Sequence, residues 1–182
     1  YDHRLDFVLQ GYSGSSDIRY DEDLELVDLL NGSEEADSTA AFGGVGVVWG
    51  KGDNDANTAL FLRAQENDLR ALILVNVIQN CDVLLPDDCV PFFKEVRVGG
   101  FESMPAQIGF IMVSKSTGLE LMDMVNNGSA RYLMYTSMDN EGTRTVRSVC
   151  GVIPGASSET IIFGAHHDTV YNGPGAVDDT SG

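Results

Sequence analysis

Apolar positions fall into short runs separated by polar, glycine-rich breaks, and the spacing inside each run differs. The run GGVGVVWG at 43–50 is apolar and β-branched and stops at KGDND, 51–55, which predicts a strand and then a loop. In ANTALFLRAQENDLR, residues Leu60, Ala64 and, after a polar interval, Leu69 recur at roughly helical spacing, with Asn57 or Asp55 placed to cap an amphipathic helix. ALILVNV at 71–77 is continuously apolar, as expected of a strand covered on both faces. FFKEVRV at 92–98 and MPAQIGFIMV at 104–113 predict further strands. SKSTGLELMDMVNNG then predicts a helix capped by Ser114 or Ser116, with Leu119, Met122 and Val125 on one face and Gly128 as its stop.

Beyond that helix the pattern shifts. RYLMYTSM (131–138) alternates, DNEG (139–142) turns, TRTVRSVCGVI (143–153) is extended and PGASSE (154–159) turns again, a pattern that fits two antiparallel strands joined by a turn. TIIFGAHHD follows, and its run Ile161 to Phe163 predicts a strand buried on both faces. Strands alternating with helices place the chain in the α/β class. Composition shifts near residues 38 and 130 divide it into an acidic segment at 1–38, an α/β unit at 39–132 and the start of another unit at 133–182.

The charge narrows the partners. With 28 acidic and 11 basic residues the formal charge is -17, which disfavours nucleic acid and anionic membranes. Eight of the acidic side chains lie between residues 21 and 37 with no basic one, the pattern of a solvated face or loop. Three lysines beside 18 aspartates would suit a saline environment. Apolar content of 43% is that of an ordinary packed core, and no apolar run approaches the ~18 residues of a membrane span. Tyr1 opens the chain without a methionine or a signal-peptide pattern, so the start looks trimmed. Cys81 and Cys89 flank a short acidic turn and could close a disulfide loop or remain thiols, whereas Cys150, in an apolar stretch, is expected to be a small buried hydrophobe. Asn31 and Asn127 each open an Asn-Gly-Ser sequon, a glycan acceptor on a secretory route and a turn former otherwise.

Chemistry concentrates in GAHHDTVYNGPGAVDDTSG, residues 164–182, which holds two of the three histidines and three aspartates. In an extended backbone His166 and Asp168 point to the same side and His167 to the other. A carboxylate that accepts one ring N–H of an imidazole fixes its tautomer and leaves the other nitrogen for a metal. His166 also follows the point where the strand should end, and sites in open α/β sheets form beyond the carboxyl ends of strands. Glycines and a proline then permit a tight return that can bring Asp178 back toward His166. One carboxylate can bridge two divalent cations about 3.5–4 Å apart.

The stretch SVCGVIPGASSETIIFGAHHDTVYNGPGAVDDTSG resembles the opening of the catalytic domain in the M28 family of zinc peptidases, in its Ile-Pro-Gly turn, its Gly-Ala-His-x-Asp and its Pro-Gly-Ala-x-Asp-Asp-x-Ser-Gly. Residues 39–132 resemble a protease-associated domain, the α/β module such peptidases often carry. The resemblance implies that His166 ligates one zinc ion, Asp168 orients that histidine, and Asp178 bridges two zinc ions. His167 occupies the variable middle of the motif and is not expected to ligate, and Asp179 follows the bridge. Ser148 and Val177 depart from the usual family residues at positions that do not bind metal.

The implied activity is hydrolysis of peptide bonds in a peptide or protein substrate, by an aminopeptidase that is secreted or lumenal. The family completes its site with a Glu-Glu pair, another acidic ligand and a second histidine, all beyond Gly182, so these 182 residues by themselves are expected to be inactive. Two ligating residues leave the four-coordinate shell of zinc open. His3 is not expected to fill it. Other readings are a non-catalytic protease-associated interaction module, and a carboxypeptidase or amide cyclase on the same fold.

Overall fold

A computed structural model describes residues 1–11, 13–14, 16–18, 26–29, 43–50, 54–92, 108–128, 134–136, 143, 145 and 147–166. In chain order the elements are β1 (Phe7–Leu9), β2 (Ser16–Ile18), β3 (Leu26–Asp28), β4 (Val45–Trp49), α1 (Asn54–Glu66), β5 (Ala71–Val75), β6 (Gly109–Val113), α2 (Lys115–Asn126) and β7 (Met134–Thr136). Five strands form one sheet in the order β1-β6-β5-β4-β3. Strands β3 to β6 run parallel, and β1 pairs antiparallel on the outer side of β6. This bears out the α/β class.

Alternation along the central strands sorts the core into two faces. On β5, Leu72 and Leu74 pack with Leu60, Phe61 and Ala64 of α1, Phe110 and Met112. Ala71, Ile73 and Val75 point the other way, to Leu121 and Met122 of α2, Val45, Val47, Ile111 and Val113. One helix thus covers each face, which is why β5 is buried along its whole length. Parallel strands bridged by helices demand this double cover, and the unbroken apolar run ALILV is its sequence form.

Both helices end as their residues dictate. The first starts at Asn54, so Asp55 and Asn57, expected as caps, lie inside it, where the Asp55 carboxylate complements the helix dipole. At its far end Asp68 takes a positive φ of 53°, and the Asp68 and Leu69 N–H groups donate to the Gln65 and Ala64 carbonyls at 3.2 and 3.0 Å. That reversal turns Leu69 back into the core. Helix α2 starts as expected, with the Ser114 Oγ accepting from the Thr117 N–H at 3.1 Å. Of its expected face, Met122 is buried and Val125 packs against the core, but Leu119 is exposed and Gly118 and Leu121 are buried in its stead. The reason is contact distance. A Cβ at Gly118 would lie inside the Val75 side chain, so the helix sits down on β5 at its glycine and turns Leu119 to solvent.

Strands β1 and β3 come from the first 29 residues. Within the acidic run expected to be solvated, Leu26 and Leu29 are buried and Leu26 pairs with Val45. The expected hairpin between 131–138 and 143–153 is also corrected: β7 pairs with β2, Met134 opposite Ile18. The expected strand at 92–98 lies outside the described residues except for Phe92, and no helix among the described residues is long and apolar enough to cross a membrane.

Cys81 and Cys89 are bonded. With the linked positions eight apart in sequence, closing the loop removes chain entropy worth about 2–3 kcal/mol. The loop is pinned to α2 by Asp88, whose carboxylate accepts from the Cys89 N–H at 2.8 Å, the Ser116 N–H at 3.0 Å and the Ser116 hydroxyl. Burial pushes this carboxyl up, but the hydrogen bonds from Ser116, Cys89 and Ser114 outweigh it and hold Asp88 below its ordinary value of 3.8.

A depressed folded-state value means that Asp88 stabilises the fold fully above pH 3.8 and loses that contribution as pH falls through its lower folded value. Asp88→Asn is therefore expected to cost about 1–2 kcal/mol near neutral pH. The gap to wild type should narrow as urea unfolding is repeated at progressively more acid pH, and a gap that holds constant from neutral pH to well below 3.8 contradicts the assignment.

Candidate metal centre

Of the residues proposed from the sequence to hold metal, His166 lies at the end of a segment, 147–166, that carries bends but no helix or strand. Glu159 N–H donates to the Ser157 Oγ at 3.2 Å, consistent with the expected turn at PGASSE. The apolar stretches around this turn are not buried. Val149, Val152 and Ile153 are exposed, as are Ile161, Ile162 and Phe163, the last at 94%. Cys150, expected to be buried, is an exposed free thiol.

The expected strand at 161–163 is corrected accordingly. A strand buried on both faces needs flanking strands and a helix on each side. The five-stranded sheet already ends at β1 and β3, and among the described residues no strand pairs with 147–166. The run Ile161 to Phe163 is thus apolar surface for which the described residues provide no cover.

His166 closes the described segment with an exposed side chain. His167, Asp168, Asp178 and Asp179 lie outside the described residues. Among the described residues no group of three or more His, Cys, Asp or Glu could hold a metal ion. The donors read from the sequence, the imidazole of His166 and the carboxylate of Asp178, nevertheless suit zinc in kind. By the roles assigned, His166 and Asp178 would bind it directly, and Asp168 would orient the imidazole of His166.

The carboxyl ends of the parallel strands, where α/β folds usually place ligands, carry different chemistry. A shallow cleft there is lined by Gly50, Asn57, Leu74, Asn76, Phe92 and Met112. The Asn76 amide donates to the carbonyls of Gln79 and Val90, so it braces the disulfide loop. Among the described residues no titratable side chain lines the cleft. Asp88, which the sequence presents as one acid in an acidic turn, is committed to the start of α2. These groups build the fold and do not form a hydrolytic site.

Comparison with known proteins bears on the segment that the sequence singled out. The structure is similar to an aminopeptidase from Aneurinibacillus sp. strain AM-1, with 19% identity and a TM-score of 0.47, over 67% of this chain and 25% of that one. The chain therefore spans about a quarter of the length of that aminopeptidase. A comparison with curated proteins found no match. The family model described as peptidase family M28 matches residues 148–182. The matched stretch, Ser148 to Gly182, is the one that carries the His-x-Asp and Asp-Asp motifs.

Proposed function

We propose that residues 133–182 open the catalytic domain of a zinc-dependent peptidase that uses two metal ions and releases amino-terminal residues from peptides. The observation that carries this reading is the match of 148–182 to peptidase family M28, a stretch that contains His166, Asp168 and Asp178. His166 would ligate one zinc ion, Asp168 would hold that imidazole in the ligating tautomer, and Asp178 would bridge both ions. Bound zinc supplies Lewis acidity toward water and the substrate carbonyl. The remaining ligands and the general base would come from sequence following Gly182.

The α/β unit assigned to 39–132 would be a protease-associated domain. It takes its outer strands from residues 7–9 and 26–28, so the acidic segment would be built into it. A secreted or lumenal setting is supported by the Cys81–Cys89 bond, since such bonds persist in oxidising compartments.

The test uses the full-length protein with matched peptides whose amino terminus is free or acetylated. Sequential loss of residues from the free peptide, with the acetylated one left intact, is the expected outcome. Release from the carboxyl end instead would make the enzyme a carboxypeptidase, and cleavage of neither peptide would sink the peptidase assignment.

A further inference from the structure

The peptidase reading leaves one motif unused, and the fold gives it a place. Asn127, Gly128 and Ser129 form a sequon at the end of α2. Asn127 is the C-cap residue, exposed, with its N–H donating to the Asp123 carbonyl at 3.0 Å. Gly128 then takes a φ of +67°, and its N–H donates to the Val125 carbonyl at 3.0 Å. A Cβ built on Gly128 meets nothing within 4 Å among the described residues. The face of α2 that meets the core carries Gly118, Leu121, Met122 and the partly buried Val125, whereas the Asn127 side chain is exposed. A large hydrophilic group on Asn127 therefore displaces no core contact.

The disulfide is the second, independent observation. Cys81 and Cys89 are bonded, which fits the oxidising compartments that also carry asparagine-linked glycosylation. We infer that Asn127 is a glycan attachment site. The acceptor is the Asn127 side-chain amide, and the donor is an oligosaccharide joined to a polyprenyl diphosphate. The bond from Nδ2 to the anomeric carbon forms and the bond from that carbon to the diphosphate oxygen breaks. The lipid diphosphate leaves and one amide proton is released. A membrane-bound oligosaccharyltransferase recognises the Ser129 hydroxyl as part of the sequon. This inference does not depend on the peptidase reading.

The experiment expresses the full-length protein through the secretory route of a glycosylating host and maps its tryptic peptides by mass. The peptide from Ser116 to Arg131 should carry one glycan mass, removed by an amidase that converts the modified asparagine to aspartate. Asn127→Gln and Ser129→Ala should each lose that mass, whereas Ser129→Thr should keep it. Asn31→Gln reads the other sequon separately and should leave the Asn127 peptide unchanged. An unmodified Ser116 to Arg131 peptide in secreted protein whose Cys81–Cys89 bond is intact overturns the assignment, as does a glycan mass that persists in Asn127→Gln.

Discussion

Asp178→Ala in the full-length protein is expected to lower kcat/KM for peptide hydrolysis by roughly a thousandfold or more. Loss of a group that merely orients a ligand typically costs about 10- to 100-fold in metal affinity or activity. A carboxylate shared by two ions would hold both, so its removal should exceed that range. Asp168→Asn gives the internal comparison: it keeps the shape of the side chain but weakens the acceptor for the His166 ring N–H, and should fall within the 10- to 100-fold range. Both variants should retain wild-type circular dichroism and, compared in the metal-free state, wild-type urea midpoints, because the proposed role is to hold metal. Retention of more than about a tenth of the activity by Asp178→Ala removes the bridging role.

Phe61→Ala should produce the largest loss of stability, about 3–5 kcal/mol. Phe61 is fully buried in α1, and its ring lies 5.1 Å from that of Phe110 in a tilted arrangement. It fills the space between the helix and Leu72 and Leu74 of β5, which cannot close over a cavity because the strand is held by parallel pairing on both sides. The loss is a large share of the ~5–15 kcal/mol that holds an ordinary domain together. Urea unfolding should show a lower midpoint with an unchanged slope, and Phe61→Leu should recover more than half of the loss. A shift below about 1 kcal/mol for Phe61→Ala means that the α1 face of the sheet is not the main core.

The central elements could be read from the sequence because their signals are local. Strands β4, β5 and β6 stand as apolar runs, and Ser114 marks the start of α2. Elements that depend on distant partners were less legible. Strands β1 and β3 are three residues each, too short for periodicity, and Leu26 and Leu29 sit among acids that dominate the local pattern. The buried face of α2 is legible at Met122 and Val125 but not at its start, where spacing of large apolar residues points to Leu119 and the contact is made by Gly118 against Val75. Ile161 to Phe163 shows the converse: an apolar run declares a need for cover without saying what supplies it, and in this structure the run is exposed.

The candidate site was legible as a motif, since His166, Asp168 and Asp178 are defined by order and spacing in 164–182. Their convergence is a three-dimensional property that one-dimensional spacing does not carry, and of the three only His166 lies within the described residues. The match to peptidase family M28 covers residues 148–182, which include all three.

The most direct test of those roles is metal dependence in the full-length protein. Purified protein is stripped with a strong chelator, dialysed, and titrated with zinc while hydrolysis of a peptide with a free amino terminus is followed. The account predicts no hydrolysis by the stripped protein and recovery that reaches its plateau at about two zinc ions per chain. Full hydrolysis by the stripped protein, unchanged on adding zinc, would contradict it.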